Sequence, residues 1–401
     1  MKNTTPLEPG FYGLGIAPRL LEILWKLKFK APTPIQQKSI PAAVEGKDII
    51  GVAQTGTGKT LAFGIPLIQR LSQIKGKGLV ILPTRELALQ ADEVFKMLGK
   101  QVGLRTCVII GGASMQTQLR ELKRNPHVIV ATPGRLIDHL EQGTIDLSNV
   151  KILVLDEADR MLDMGFAPQI KRVMQTVPKE RQTLLFSATM PADIVKLASS
   201  YMKLPVRVEI ARPGTTADHV SQELFVVNKE DKTKLLERIL DEHRGSVLVF
   251  IRTKYAAKKL ARSVRNMGYT ATEIHSERSL SQRRASLDGF KSGKFRIMVA
   301  TDIAARGLDV KDIEVVVNYD LPEHAEDYVH RIGRTGRAGR KGIAISIATP
   351  AQRKLVEEIE RLTRNYLPIT KVPDLPATPV EATVVAKRRP PMRRRRRPFK
   401  R

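Results

Sequence analysis

The sequence predicts an α/β fold class with two parallel β-sheets in tandem, each with helices on both faces, followed by a basic tail. Three observations lead to this prediction. Short apolar runs alternate with longer amphipathic stretches, the alternation occurs twice, and a stretch containing Pro213 and Gly214 separates the two halves. Strands that are apolar throughout are buried on both faces, and strands that alternate with helices pair in parallel.

Apolar runs predict the strands in chain order. The first half contains "DIIGVA", "GLVILPT", "TCVIIGG", "HVIVATP", "ILVLDEAD" and "TLLFSAT", and the second contains "SVLVFIRT", "ATEIHS", "RIMVATD", "EVVVNYD" and "GIAISIAT". We assign residues 1–207 to a first domain, 208–219 to a linker, 220–367 to a second domain and 368–401 to a tail. In the tail, prolines and arginines replace all periodicity, which is typical of a disordered segment.

The composition is that of a globular protein. The length of 401 residues suits two domains, and 42% of the residues are hydrophobic. No apolar run approaches the roughly 20 residues of a membrane helix, and the first residues lack the apolar region of a secretory signal. The one cysteine, Cys107, excludes an intrachain disulfide, and its apolar surroundings predict a buried, inert thiol. We therefore expect a cytoplasmic location.

The chain is strongly basic. The formal net charge is +27, and +17 remains without the ten cations between Lys387 and Arg401. The body is therefore basic as well as the tail. A field of this sign favours a polyanionic partner, and nucleic acid comes before an anionic membrane surface.

A glycine-rich stretch, "AQTGTGKT", follows the first predicted strand and precedes an amphipathic helix. This is the context that a phosphate-binding P-loop requires. Backbone N–H groups can surround phosphates there, a lysine offers a point charge, and a threonine hydroxyl can ligate Mg²⁺. The predicted nucleotide-binding residues are Ala53, Gln54, Thr55, Gly56, Thr57, Gly58, Lys59 and Thr60.

The run "ILVLDEAD" places acidic residues at a strand end. Asp156 can hold the Mg²⁺ shell, and Glu157 can orient or deprotonate an attacking water. An acidic helix start is the structural alternative, because acids complement a helix dipole. Asp159 could cap the helix or bridge to another segment.

The stretch "HRIGRTGRAGR" (330–340) sets Arg331, Arg334, Arg337 and Arg340 three residues apart with glycines between them. It could be a solvated basic turn. It could also be a set of phosphate-facing arginines on a backbone that glycine allows to approach closely.

The ordered set of motifs resembles the DEAD-box family of ATP-dependent RNA helicases, and the resemblance spans about Phe11 to Arg340. The motifs that carry it are "PTPIQ", "AQTGTGKT", "PTRELA", "TPGR", "DEAD", "SAT", "VFIRT", "VATDIAARGLDV" and "HRIGRTGR". The compact core and basic tail are most similar to the bacterial RhlE-type branch. The resemblance implies two RecA-like domains that close over one ATP, with its Mg²⁺, and one RNA strand.

The resemblance also implies roles around the nucleotide. Phe29 would stack on adenine, Gln36 would bond its edge, Phe11 would buttress the pocket, and Asp309 would contact the ribose. A plain core role is the alternative for Phe11 and Phe29.

Further implied roles couple the nucleotide to domain closure. Arg334 and Arg337 would act as arginine fingers from the second domain, and His330 would bridge toward the first. Ser187 and Thr189 would link the ATP state to closure, or would merely cap the backbone.

Helix starts supply the predicted RNA contacts. Two strand-to-helix junctions combine N-cap threonines with arginines, a combination that suits backbone phosphates without reading bases. Ordinary capping is the alternative for each junction. The predicted RNA-binding residues are Thr84, Arg85, Gly111, Gly112, Thr132, Pro133, Gly134, Arg135, Thr301 and Gly307.

The predicted function is RNA-stimulated ATP hydrolysis coupled to local, non-processive remodelling of RNA duplexes by a chain whose core is monomeric. An ATP-gated RNA clamp with little unwinding is one alternative, and a DNA translocase is another. Ribosomal or RNA-decay proteins are possible partners. The sequence departs from the family pattern at Lys28, Ser276 and Leu280, in place of two glycines and a glutamine.

Overall fold

The computed structural model describes residues 10–54, 56–210, 220–305, 310, 313–336, 341–363 and 365–371. Within these ranges the chain forms two α/β units, each built on its own sheet. No helix in these ranges has the length and apolar character required to cross a membrane.

The first unit begins with two helices that precede its first strand. Its elements in chain order are α1 (Pro18–Lys26), α2 (Pro34–Val44), β1 (Ile49–Val52), α3 (Lys59–Gln73), β2 (Lys77–Ile81), α4 (Arg85–Gly99), β3 (Thr106–Ile109), α5 (Met115–Lys123), β4 (Val128–Ala131), α6 (Pro133–Glu141), β5 (Val150–Leu155), α7 (Ala158–Asp163), α8 (Ala167–Thr176), β6 (Gln182–Ser187), α9 (Ala192–Tyr201) and β7 (Val206–Glu209).

The second unit repeats the alternation. Its elements are β8 (Val220–Val226), α10 (Lys232–Glu242), β9 (Val247–Phe250), α11 (Lys254–Asn266), β10 (Ala271–Ile274), α12 (Leu280–Lys291), β11 (Ile297–Ala300), α13 (Asp302–Ala305), β12 (Val315–Asn318), α14 (Ala325–Ile332), β13 (Gly342–Ala348) and α15 (Arg353–Thr363).

All strand pairings are parallel, with the order β3-β4-β2-β5-β6-β1-β7 in the first sheet and β10-β11-β9-β12-β13-β8 in the second. Central strands such as β1, β4, β9 and β12 are buried along their whole length. Helices pack against both faces of each sheet. The predicted fold class of two tandem RecA-like domains is confirmed.

The two strands that lie next to the linker, β7 and β8, are absent from the predicted set. Both are edge strands and both mix buried with exposed positions. Charged or polar residues interrupt both of them (VRVE and VSQELFV), so neither contains the continuous apolar run on which the prediction depended. Residues 208 and 209, assigned to the linker, therefore belong to the first sheet, and 211–219 lie outside the described residues.

The start of the predicted tail is also part of the second domain. Leu224 of β8 donates its N–H to the Pro368 carbonyl at 3.1 Å and accepts from the Thr370 N–H at 2.8 Å. These residues extend the edge of the second sheet, so the structured chain continues past 367. Residues 372–401 lie outside the described part of the chain.

The strand order divides the carboxyl edge of the first sheet into two regions. β5, β6 and β1 are neighbours, and their ends carry "DEAD", "SAT" and the glycine-rich loop. β3, β4 and β2 form the other half, and their ends carry Gly111, Thr132 and Thr84. Ligands of open α/β sheets bind at this edge, so two adjacent sites are available.

The two domains contact each other through α12. Leu280 of α12 packs against the core of the first domain. Arg283 Nε lies 3.0 Å from Glu86 Oε1 on α4, and both side chains are buried. The atoms are close but not aligned as a hydrogen bond, so the contact is an ion pair. Burial lowers the pKa of Arg283, while Glu86 raises it.

Replacing Arg283 by Met is expected to weaken RNA binding in the presence of a non-hydrolysable ATP analogue by about tenfold or more. The variant leaves the Glu86 carboxylate buried without its cation in the closed arrangement, at a cost of roughly 1–3 kcal/mol. Fluorescence anisotropy with single-stranded RNA measures the affinity. Arg284→Met is the matched control, since Arg284 is the next residue and is 71% exposed. Equal affinities for the two variants would argue against this contact.

Candidate active site

The glycine-rich loop links β1 to α3, and left-handed glycines shape it. Gly56 and Gly58 have φ values of 87° and 89°, a region that side chains rarely adopt. A Cβ at Gly58 would also clash with the Gln36 amide. Helix α3 begins at Lys59, so its first N–H groups face the loop. This geometry is an anion-binding one.

Lys59 is the buried cation of this loop. Its Nζ lies 3.8 Å from Asp156 Oδ1 at the end of β5, and among the described residues the ammonium has no hydrogen-bond partner. A buried ammonium that lacks hydrogen bonds favours an anionic ligand. Burial raises the pKa of Asp156 to about 6, and the nearby Lys59 charge opposes that rise.

The Asp156 and Thr60 positions fit Mg²⁺. In the described ranges no group of three or more His, Cys, Asp or Glu side chains could hold a metal ion alone. Mg²⁺ rarely needs such a cage, because one or two carboxylates, waters and substrate phosphates complete its shell. Asp156 directly follows β5, Thr60 lies in the first turn of α3, and both side chains carry oxygen atoms of the kind that Mg²⁺ takes.

Glu157 is held in an unusual conformation. Its φ is 54° and its ψ is 49°, the left-handed region, although it is not a glycine. Such strain persists where the surrounding structure enforces it, and it clusters at functional sites. The side chain is buried, and its Oε2 accepts a hydrogen bond from Arg160 Nη1 at 2.7 Å.

Asp159 bridges to the "SAT" segment at the end of β6, which settles the alternative left open by the sequence. Its Oδ2 accepts hydrogen bonds from the Thr189 N–H at 2.8 Å and the Thr189 hydroxyl at 2.9 Å. Its own N–H donates to Ser187 Oγ at 3.2 Å. The Ser187 carbonyl in turn accepts from the Ala53 N–H of the P-loop at 2.9 Å. These bonds connect the three strand ends.

The segment before the P-loop lies against the same edge. Gln36 Nε2 donates to the Gly58 carbonyl at 2.9 Å, and Gln36 Oε1 accepts from the Thr33 N–H at 3.0 Å. Phe11 is buried in the core and Phe29 packs on its surface. Gln36 is therefore in direct contact with the phosphate loop.

Helix α1 ends in a Schellman motif that positions Phe29. The Phe29 N–H donates to the Leu24 carbonyl at 3.0 Å, and the Lys28 N–H to the Trp25 carbonyl at 2.9 Å. This motif requires a left-handed residue, usually glycine, and Lys28 has a φ of 62°. The departure from the family pattern thus keeps the backbone geometry at the cost of strain.

Lys28→Gly is expected to stabilise the first domain by about 1 kcal/mol, the order of the penalty for a side chain in the left-handed region. Thermal unfolding should then shift upward by roughly 2–4 °C. Glu22→Gly is the matched control, because Glu22 is an exposed residue in the interior of α1 and glycine there costs up to about 1 kcal/mol. A lower melting temperature for Lys28→Gly would contradict this account.

The second domain contributes His330 and Arg334 from the end of α14. Arg160 Nη2 lies 3.2 Å from His330 Nδ1 across the domain boundary. Arg334 is buried, its Nε donates to the His330 carbonyl at 3.3 Å, and it lines the same small cavity as Arg160.

The four regularly spaced arginines do not share one role. Arg331 Nε and Nη2 donate to the Asp302 carboxylate at 2.6 and 2.7 Å, and Nη1 donates to Asn318 Oδ1 at 3.1 Å. It therefore holds α14 to the second sheet. Four predicted site residues lie outside the described residues: Thr55, Gly307, Asp309 and Arg337. Arg340, the last of the four spaced arginines, also lies outside them.

The predicted RNA-contact residues gather at the ends of β2, β3 and β4. Thr84 caps α4, with its Oγ1 accepting from the Leu87 N–H at 3.3 Å. Thr132 precedes Pro133 at the start of α6 as expected, but in the described structure its side chain makes no capping bond. A Cβ at Gly134 would meet nothing within 4 Å, so this helix start is open.

Arginines accompany both helix starts. A Cβ at Gly112 would clash with the Arg85 guanidinium, and one at Gly111 would lie 3.2 Å from it. The two glycines therefore make room for Arg85. Arg135 Nη1 lies 3.6 Å from Met115 Sδ, in a largely buried position.

Thr301, from the second domain, lies at the end of β11. Its N–H donates to the Ile274 carbonyl at 3.3 Å, and its carbonyl accepts from the Ala305 N–H at 2.8 Å. It therefore precedes α13 at the carboxyl edge of the second sheet.

Sequence reasoning missed Arg160 and Glu86. Each charge follows or lies within a recognised motif, and each is buried and contacts a residue of the other domain. A single sequence contains no signal that distinguishes such a residue from a solvated helix charge. The prediction for Cys107 holds, because the thiol is buried and burial raises its pKa to about 12.

Comparisons with known proteins identify the family of the chain. The DEAD/DEAH box helicase model matches residues 33–197, and the helicase conserved C-terminal domain model matches 231–339. The ATP-dependent rRNA helicase RRP3 of Candida albicans is 47% identical over 89% of this chain and 68% of its own length. The DEAD-box ATP-dependent RNA helicase CshA of Geobacillus kaustophilus is 43% identical over 91% of this chain and 79% of its own length.

A solved structure matches both domains together. S. cerevisiae Dbp5 bound to RNA and ADP-BeF3 is 31% identical, with a TM-score of 0.81 over 91% of this chain and 95% of that chain. A score of this size over both domains requires a similar arrangement of the domains.

Proposed function

The chain belongs to the DEAD-box family of ATP-dependent RNA helicases, and we propose that it remodels short RNA duplexes by closing its two domains over one ATP and one RNA strand. The observation that carries this proposal is the Arg160–His330 contact, which joins the catalytic strand ends of the first domain to α14 of the second. The family's activity is RNA-dependent hydrolysis of ATP.

In the proposed mechanism the first domain binds and orients the nucleotide. The loop N–H groups and Lys59 hold the phosphates. Asp156 and Thr60 would hold Mg²⁺, which would supply positive charge to the phosphate oxygens. Phe29 and Gln36 recognise the adenine. The hydrogen bond from Gln36 Nε2 to the Gly58 carbonyl makes adenine recognition and phosphate binding interdependent.

Hydrolysis then depends on closure. Glu157 orients the water and accepts its proton. Arg334 and Arg337 stabilise the charge on the transferring phosphoryl group from the second domain. Ser187 and Thr189 transmit the ATP state through their bonds to Asp159.

RNA would bind along the ends of β2, β3 and β4 and against Thr301. Helix starts and arginines recognise phosphates without reading bases, so binding should be sequence-independent. By analogy with the family, we propose that closure bends one strand and separates a short duplex locally.

The finer assignments extend this proposal. We place the chain in the cytoplasm, with a monomeric core, in the RhlE-type branch, and with ribosomal or RNA-decay proteins as partners. The compact core and the basic tail support the assignment to the RhlE-type branch.

The test is steady-state ATP hydrolysis without nucleic acid, with single-stranded RNA and with single-stranded DNA of the same sequence. We expect stimulation by RNA and little by DNA. A strand-displacement assay on a short duplex then separates a helicase from an ATP-gated clamp. Equal stimulation by DNA would refute the RNA-dependent mechanism.

Closure should also depend on pH through His330. Burial and then the Arg160 charge lower the pKa of His330 to about 3, with Arg334 lowering it further and Asp159 and Glu157 opposing. In an open state the imidazole would titrate near 6.5. The closed state thus binds fewer protons, and closure is lost as pH falls below about 6.5.

RNA affinity with a non-hydrolysable ATP analogue is therefore expected to fall about tenfold between pH 7.5 and 5.5, one pH unit below the ordinary pKa. His330→Gln cannot be protonated and should lose this dependence. Identical pH profiles for the two proteins would exclude His330 as the titrating group.

A further inference from the structure

Arg160, the residue after "DEAD", is a buried cation with partners in both domains. It is 2% exposed, and it is the largest of the fully buried side chains in the described residues. Its Nη1 donates to Glu157 Oε2 at 2.7 Å, and its Nη2 lies 3.2 Å from His330 Nδ1. The guanidinium therefore connects the proposed base to the opposite domain.

The direction of the hydrogen bond between Arg160 and His330 determines which ring nitrogen of His330 carries the proton. A guanidinium only donates, so the His330 Nδ1 must accept and its proton must lie on Nε2. Arginine presents several N–H groups in a rigid fork, which allows one side chain to bond two acceptors in different directions. A lysine ammonium at the end of a flexible chain does not reproduce this geometry.

The cost of burying the cation indicates what it does. A buried charge is stable only when it is paired and well hydrogen-bonded. Glu157 supplies part of this requirement within the first domain, and His330 supplies another part only when the second domain is in place. The arrangement of Arg160 is thus completed by closure.

We propose that Arg160 is a positioning residue, which orients the Glu157 carboxylate for hydrolysis and does so fully only when His330 approaches from the second domain. The proposal rests on the proposed role of Glu157 as the base. The left-handed backbone of Glu157 directs its side chain along an unusual path, so a rigid partner is needed to hold the carboxylate in one orientation.

The test compares Arg160→Met, which removes the charge, with Arg160→Lys, which keeps it but loses the fork. Both should lower kcat of RNA-stimulated ATP hydrolysis by about 10- to 100-fold, the effect of outer partners on a reacting group. The KM for ATP should stay within about threefold, because Arg160 lies against the base and not in the phosphate loop. Arg172→Met is the control, since Arg172 is exposed on α8 and pairs with Glu141.

A second readout does not depend on turnover. RNA affinity with a non-hydrolysable ATP analogue is measured for Arg160→Met, His330→Ala and the double variant. If the contact between them couples the domains, His330→Ala should have little further effect once Arg160 is replaced. Fully additive effects would refute the coupling.

The outcomes separate this inference from the proposed function. If Glu157→Gln is inactive while both Arg160 variants keep wild-type kcat, the positioning role is wrong and the base assignment stands. If Glu157→Gln hydrolyses ATP normally, the base assignment itself fails. Thermal unfolding of each variant measures the fraction of folded protein, and the loss of kcat is compared with the loss of that fraction. A kcat loss no larger than the loss of folded protein would overturn the proposal.

Discussion

Glu157→Gln is expected to lower kcat for RNA-stimulated ATP hydrolysis by about 10²–10⁴-fold, the typical contribution of a positioned general base. The amide keeps the size of the side chain but cannot accept a proton from water. ATP binding should persist, because Lys59 and the glycine-rich loop are unchanged. Single-turnover hydrolysis with saturating RNA is the measurement.

The same variant should still hold RNA when ATP is present, since closure precedes the chemical step. A long-lived complex with ATP and RNA is therefore expected. Glu141→Gln provides a control, because Glu141 is an exposed acid of the same domain that pairs with Arg172. Normal turnover in Glu157→Gln would remove Glu157 from the mechanism.

Arg334→Ala is expected to lower kcat by about 10³-fold or more, the scale of an arginine finger. Its cation lies on the second domain and enters the site only in the closed arrangement, so the loss should appear mainly in the RNA-stimulated rate. Arg334→Lys should not restore the rate, because a point charge does not replace a planar fork. Rapid-quench hydrolysis with and without RNA measures both rates.

Arg353→Ala is the control for this variant, because Arg353 is an exposed arginine of the same domain that pairs with Glu357. Arg334 is buried, so thermal unfolding of Arg334→Ala must accompany the kinetics. If RNA stimulates hydrolysis by the variant as strongly as by the wild type, Arg334 is not a finger.

The sequence alone was sufficient where local chemistry determines the structure. The P-loop, "DEAD" and "SAT" each follow an apolar run, and each lies at a strand end as expected. The strands β7 and β8 were missed because polar residues interrupt them and they lack that run. Lys28 was recognised as a departure, but only the backbone explains it, through a left-handed turn at the end of α1.

The order of strands was the first thing that only the tertiary structure decided. Chain order does not place "SAT" between the P-loop and "DEAD", yet β6 lies between β1 and β5 in the sheet. Asp159 reaches Thr189 for that reason. Hydrogen bonding between strands separated by many residues sets this order.

Amino-acid sequence by itself determined the class of this protein, two parallel α/β domains with one phosphate-binding loop, because apolar periodicity and glycine chemistry act over a few residues. Tertiary structure alone decided which charges are buried. Arg160 and Glu86 read as ordinary helix charges until His330 and Arg283 of the other domain approach them. The physical reason is that the energy of a charge depends on its desolvation and its partners, and these are set by how the two domains meet.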